Sequence, residues 1–123
     1  CYRYAGIAVV VQTKGDFIKA FEYCLNVAPA HQDTCFWGVG SDIPAPQWSS
    51  REAGEKCGLA LEVSEQAYKQ CIMGGMAFLV QLNLGNPQAV NEFCSAIKPD
   101  YRDICFQSAG ANFRSWASSS GGH

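Results

Sequence analysis

Phe93-Cys94-Ser95-Ala96-Ile97-Lys98-Pro99-Asp100-Tyr101-Arg102-Asp103-Ile104-Cys105-Phe106-Gln107-Ser108-Ala109-Gly110 is the stretch that decides the fold. It reads as the end of one helix, a proline turn and the start of a second helix, with a cysteine on each arm. The same arrangement occurs twice upstream. Cys24 and Cys35 are eleven positions apart, as are Cys94 and Cys105, and Cys57 and Cys71 are fourteen apart. The intervals between pairs also agree: twenty-two from Cys35 to Cys57, and twenty-three from Cys71 to Cys94. Cys1 lies twenty-three positions before Cys24, where the second cysteine of a preceding pair would fall. A repeat of about 33–37 residues is the period of stacked helix-turn-helix units.

Small residues follow each second cysteine at helical spacing. Cys35-Phe36-Trp37-Gly38-Val39-Gly40, Cys71-Ile72-Met73-Gly74-Gly75-Met76 and Cys105-Phe106-Gln107-Ser108-Ala109-Gly110 all carry them three to five positions on. A glycine inside a helix costs about 1 kcal/mol relative to alanine, so something must offset it. Close approach of a neighbouring helix backbone is the expected reason.

Two antiparallel helices joined by a short turn bring such cysteines face to face at disulfide distance. The spacing therefore predicts bridges Cys24–Cys35, Cys57–Cys71 and Cys94–Cys105. Closing each loop restricts the unfolded chain by about 3 kcal/mol. The competing readings are seven free thiols in a reduced core and a metal centre. Chains of reducing compartments seldom carry so many regularly spaced cysteines. Zinc sites use close Cys-x-x-Cys or Cys/His clusters, whereas this chain has no Cys-x-x-Cys and only His31 and His123. No metal or other cofactor is expected.

The 123 residues suffice for one domain with a modest core. Nine basic residues against eleven acidic ones, scattered along the chain, give no footprint for nucleic acid or an anionic membrane. The apolar run 5–11 is too short to span a bilayer. The cysteines point to a secreted, cell-surface or periplasmic setting. For Cys1 three readings compete: half a staple of a longer repeat protein, an acylated lipoprotein residue, or an intermolecular disulfide.

In chain order, 2–13 is expected to be the second helix of a truncated first hairpin, although Val9-Val10-Val11 favours a strand. Asp16 caps the next helix, in which Phe17, Ala20, Phe21, Cys24 and Leu25 form one apolar stripe and which Pro29 ends. His31 falls in the turn, and the second arm runs over 32–40. Pro44 and Pro46 interrupt any helix across 41–49, a connection that holds Trp48. Ser49-Ser50-Arg51-Glu52 is a capping box opening the helix that carries Cys57. Ser64 caps the helix expected to be longest, with Tyr68, Cys71, Ile72, Gly75, Met76, Leu79 and Val80 on one stripe. Asn86-Pro87 opens a helix bearing Val90, Phe93, Cys94 and Ile97. After Pro99 the last arm carries Cys105, Phe106, Ala109, Phe113 and Trp116. The expectation is a single all-α domain over 1–117, about three and a half antiparallel hairpins stacked as a short α-solenoid, with 118–123 a flexible tail.

At Asp16-Phe17-Ile18-Lys19-Ala20-Phe21-Glu22-Tyr23-Cys24, followed by Cys35-Phe36-Trp37-Gly38, the chain resembles the tetratricopeptide-like superfamily, and within it the SEL-type repeats of the secreted, cysteine-rich kind. The resemblance implies a right-handed α-solenoid and a binding role. It transfers no functional residue.

No nucleophile–base pair is legible, since His31 lies in a turn and His123 in the tail. Glu52, Glu55, Glu62 and Glu65 are paired carboxylates of the type glycoside hydrolysis uses, but glutamates on neighbouring helix faces are more often simply solvated. Two function classes follow. The first is a non-enzymatic extracytoplasmic binding or assembly module, with Phe36, Trp37, Trp48, Phe106 and Trp116 as partner anchors. It would engage another protein, or a copy of itself through the uncapped first helix. The second is a small secreted carrier enclosing an apolar ligand between helices.

Overall fold

The computed structural model describes residues 17–44, 49–82 and 86–120. Among them there is no strand. Six α-helices and one 3₁₀ turn account for the regular structure: α1 (Phe17–Cys24), α2 (Pro29–Ser41), α3 (Ser50–Leu61), α4 (Glu65–Leu82), α5 (Pro87–Ser95), the 3₁₀ turn Pro99–Tyr101, and α6 (Arg102–Ser120). The expected helix over 2–13, the Asp16 cap and the state of Cys1 lie outside the described residues.

Local chemistry sets the helix boundaries. Ser49 Oγ accepts from the Glu52 N–H at 3.1 Å while the Ser49 N–H donates to Glu52 Oε1 at 3.1 Å, a complete capping box for α3. Ser64 Oγ accepts from the Ala67 N–H at 3.0 Å to open α4. Asn86 Oδ1 accepts from the Gln88 N–H at 3.0 Å, with Pro87 in the first position of α5. Pro29 likewise sits in the first turn of α2 rather than closing α1. His31 therefore belongs to a helix and not to the turn. The α1–α2 turn is held by Gln32, whose Nε2 donates to the carbonyls of Leu25 (3.2 Å) and Val27 (3.1 Å). Arg102, at the start of α6, donates from Nε to the Ile97 carbonyl and from Nη2 to the Ser95 carbonyl, both at 3.0 Å, and so caps the end of α5. Helix α6 is one residue longer than α4, at 19 against 18. It continues through Ser118–Ser120, which the sequence assigned to the tail, because no proline lies between Arg102 and Ser120 and the one interior glycine, Gly110, costs only about 1 kcal/mol.

All three expected disulfides are present. Cys24–Cys35, Cys57–Cys71 and Cys94–Cys105 join α1 to α2, α3 to α4 and α5 to α6, with Cα separations of 5.7, 5.8 and 5.7 Å. The six sulfurs are fully buried within one contiguous apolar core. Phe21, Phe36, Tyr68, Ile72, Met76, Phe93 and Ile97 fill it. Full burial of a side chain of this size contributes about 1.5–3 kcal/mol.

The helices pack in two sets. The second arms pack in succession, α2 on α4 and α4 on α6, and the first arms follow, α1 on α3 and α3 on α5. Helices α2 and α4 run in the same direction. Gln66 Nε2 donates to Asp33 Oδ1 at 2.6 Å near their starts, and the backbones meet further along at Gly40 and Cys71.

Two glycines make that meeting possible. A Cβ on Gly40 would fall 2.6 Å from Cys71 Cα, and one on Gly74 would collide with the Trp37 carbonyl oxygen. The close backbone approach anticipated for the small residues is therefore real at this crossing.

Candidate functional site

The five aromatic residues expected to anchor a partner do not form one patch. Phe36 is fully buried, with its ring centroid 6.4 Å from that of Phe21. It is a core residue, because the stripe that carries Cys35 toward α1 also turns Phe36 inward. Trp37 is half-buried on α2, with its carbonyl against Gly74. Phe106, on α6, is 46% exposed. Phe106 is on α6 and Trp37 on α2, and both helices pack on α4. Trp48 and the side chain of Trp116 lie outside the described residues.

Other apolar side chains take the exposed positions. Tyr23 is 45% and Leu25 49% exposed. The sequence reading placed Leu25 on the buried stripe of α1. The helix instead ends at Cys24, the chain turns, and Val27 reaches the core in its place. Tyr23 was legible as an aromatic lying off the Phe17–Ala20–Phe21–Cys24 stripe, on the side that faces water. Phe78 and Leu82, one turn apart near the end of α4, are also exposed.

Three of the four carboxylates have a local structural task. Glu52 completes the α3 capping box. Glu55 pairs with Arg51 at 3.5 Å, and Glu65 with Lys69 at 3.0 Å. Two open depressions border α3. One, of about 240 Å³, is lined by Glu52, Glu55, Lys56 and Leu59. The other, of about 390 Å³, extends over Gly58, Glu62 and Lys98.

Hydrogen bonds from Lys69 and from the Tyr101 hydroxyl hold the Glu65 carboxyl below its usual value. A general acid in glycoside hydrolysis needs the opposite shift. Glu65 is thus suited to remain an ionised surface group.

Beside it lies the polar centre of the contact that α4 makes with α6 and the turn leading into it. Tyr68, almost wholly buried, accepts from the Lys98 N–H at 3.0 Å through its hydroxyl, and its ring meets Tyr101 edge-on with centroids 4.9 Å apart. Burial raises the Tyr68 hydroxyl above its ordinary pKa. Tyr101 is raised as well, by desolvation first and then by its hydrogen bond to Glu65.

His31 is exposed on the first turn of α2. Six cysteines are committed to disulfides. Among the described residues, no three His, Cys, Asp or Glu side chains sit close enough together to hold a metal ion.

No family model matches the chain, and neither curated proteins nor solved structures give a match. Three disulfides fit an oxidising compartment. No helix among the described residues is long and apolar enough to cross a membrane.

Proposed function

We propose that this chain is an extracytoplasmic protein-binding or structural module, a short α-solenoid of disulfide-stapled hairpins of the tetratricopeptide-like kind, with no catalytic activity of its own. The observation that carries this reading is the common direction of α2 and α4, each stapled to its own first arm at the same register. Translation of one stapled hairpin onto the next is how a solenoid is built, and solenoids present extended surfaces to other proteins. A secreted, cell-surface or periplasmic location agrees with three staples in a chain of this size.

The exposed pair Tyr23 and Leu25 supplies one apolar edge for a partner. A photocrosslinking residue placed at either position, in the oxidised full chain within its native source, is expected to label one protein species. The same residue at exposed Glu92 serves as control. Labelling no different from that control would sink the proposal.

A further inference from the structure

Helix α6 repeats positions that are buried in α2 and α4. Counted from the second cysteine of each staple, the first and fifth positions on are Phe36 and Gly40 in α2, Ile72 and Met76 in α4, and Phe106 and Gly110 in α6. Phe36, Gly40, Ile72 and Met76 are buried, and Gly40 abuts the Cys71 backbone of the next hairpin. Phe106 is 46% exposed, and among the described residues a Cβ at Gly110 would meet the Arg114 guanidinium at 3.4 Å. At 100° per residue, Asp103, Phe106, Gln107, Gly110, Ala111 and Arg114 share one strip of α6. All but the half-buried Gly110 are exposed. Equivalent positions are buried in the first two hairpins, and Phe106 is exposed in the third.

We propose that this strip is a homodimer interface, with α6 of a second copy lying antiparallel across it. The charge pattern selects both the partner and the direction. An antiparallel crossing centred between Ser108 and Ala109 sets Asp103 opposite Arg114 of the second copy. It sets Phe106 opposite Ala111 and Gln107 opposite Gly110. Two-fold symmetry repeats each pair. Both ends are then charge-complementary, and each large side chain meets a small one, which permits close approach of the two backbones. A parallel crossing in register would instead place Asp103 on Asp103, Phe106 on Phe106 and Arg114 on Arg114. Like charges in register are penalised. The inference deepens the module reading by naming one partner, and it takes its register from the stapled hairpins.

The test is sedimentation of the oxidised full chain across the micromolar range, with Cys1→Ser removing the odd thiol as a source of covalent dimers. A reversible monomer–dimer equilibrium is expected. Asp103→Arg sets arginine opposite Arg114 at both pairs and is expected to weaken the dimer about tenfold or more, as is Arg114→Asp. The exchange Asp103→Arg with Arg114→Asp restores opposite charges and is expected to return the affinity to within about threefold of the parent. Circular dichroism confirms that every variant is folded. A chain that stays monomeric, a dimer indifferent to Asp103→Arg, or an exchange that fails to restore affinity overturns the proposal. A head-to-tail assembly gives this last result. Labelling of another protein from Tyr23 or Leu25 is independent of all three, so the module reading is judged separately.

Discussion

The α2–α4 and α4–α6 contacts join equivalent arms of successive hairpins by different means. At the first, backbone meets backbone, and Gly40 and Gly74 leave no room for a Cβ. At the second, side chains do the filling, and they come from the turn leading into α6: Tyr68 meets Tyr101 of the 3₁₀ turn, and its hydroxyl takes the Lys98 amide. A glycine crossing is rigid toward substitution, because its neighbours are main-chain atoms that cannot rotate away. A side-chain crossing tolerates change, because rotamers adjust at modest cost. The disulfide register is therefore kept through two kinds of packing, and the cysteines are the common feature.

The largest expected effect tests that division. Replacing Cys57 and Cys71 by alanine removes a loop-closure contribution of about 3 kcal/mol from the hairpin whose Cys71 backbone meets Gly40 and so has least room to readjust. Replacing Cys94 and Cys105 removes a similar closure term at a contact that can readjust. Denaturant unfolding should show the first pair losing more stability than the second. An equal loss would mean that the glycine crossing does not depend on its staple. Next in size is Gly74→Ala, expected to destabilise by about 2–3 kcal/mol through overpacking against the Trp37 carbonyl. Its control is Gly58→Ala on α3, where no atom lies within 4 Å of the added Cβ. That substitution should stabilise by about 0.5–1 kcal/mol through helix propensity alone. If both changes act in the same direction, the close approach at Gly74 is not what the structure indicates.

Much of this fold was legible because local signals agreed with one another. The cysteine spacing named the pairs, and Ser49, Glu52, Ser64, Asn86 and Pro87 marked the starts of helices by chemistry confined to four residues. The apolar stripe of α4 was read without error because eighteen residues give the 3.6-residue period room to declare itself. Failures came where a decision depended on something outside the local window. Leu25 fits the stripe of α1, and only the end of the helix at Cys24, fixed by Gln32 reaching back to the turn, turns it outward. Phe36 and Phe106 hold the same place in their repeats, so no sequence pattern separates them. What differs is their surroundings in the assembled stack: Phe36 is buried beside Phe21, whereas Phe106 is exposed. Gly54 was also missed. A Cβ there would lie 2.8 Å from the Ala96 side chain and closer still to the Phe93 carbonyl oxygen. It lies on a first arm, where the repeat gave no reason to expect a close crossing. The candidate site was less legible than the fold, because exposure is a property of the assembled stack.

The smallest expected effect concerns the α4–α6 contact alone and separates it from the glycine crossing by pH. Burial raises the Tyr68 hydroxyl above its ordinary value of 10.0. The folded chain therefore keeps a proton that the unfolded chain gives up. Stability falls with rising pH wherever the unfolded state binds fewer protons than the native one. The contribution of Tyr68 is thus fully present below about pH 10 and is lost as pH climbs through the folded value. Tyr101 shifts in the same direction, and its bond to Glu65 adds to the alkaline sensitivity of this one contact. Tyr68→Phe deprives the Lys98 N–H of its acceptor and should cost about 1 kcal/mol at neutral pH. It should also flatten the alkaline loss, because the group that titrates late is gone. Tyrosinate absorbance, followed as pH is raised on the parent and the variant, measures this directly: the variant should lack one of the components that ionise above the ordinary range. A parent whose tyrosines all ionise together near their ordinary value would show that the Tyr68 hydroxyl is open to water, and the α4–α6 contact would then lack the buried polar centre that distinguishes it from the α2–α4 crossing.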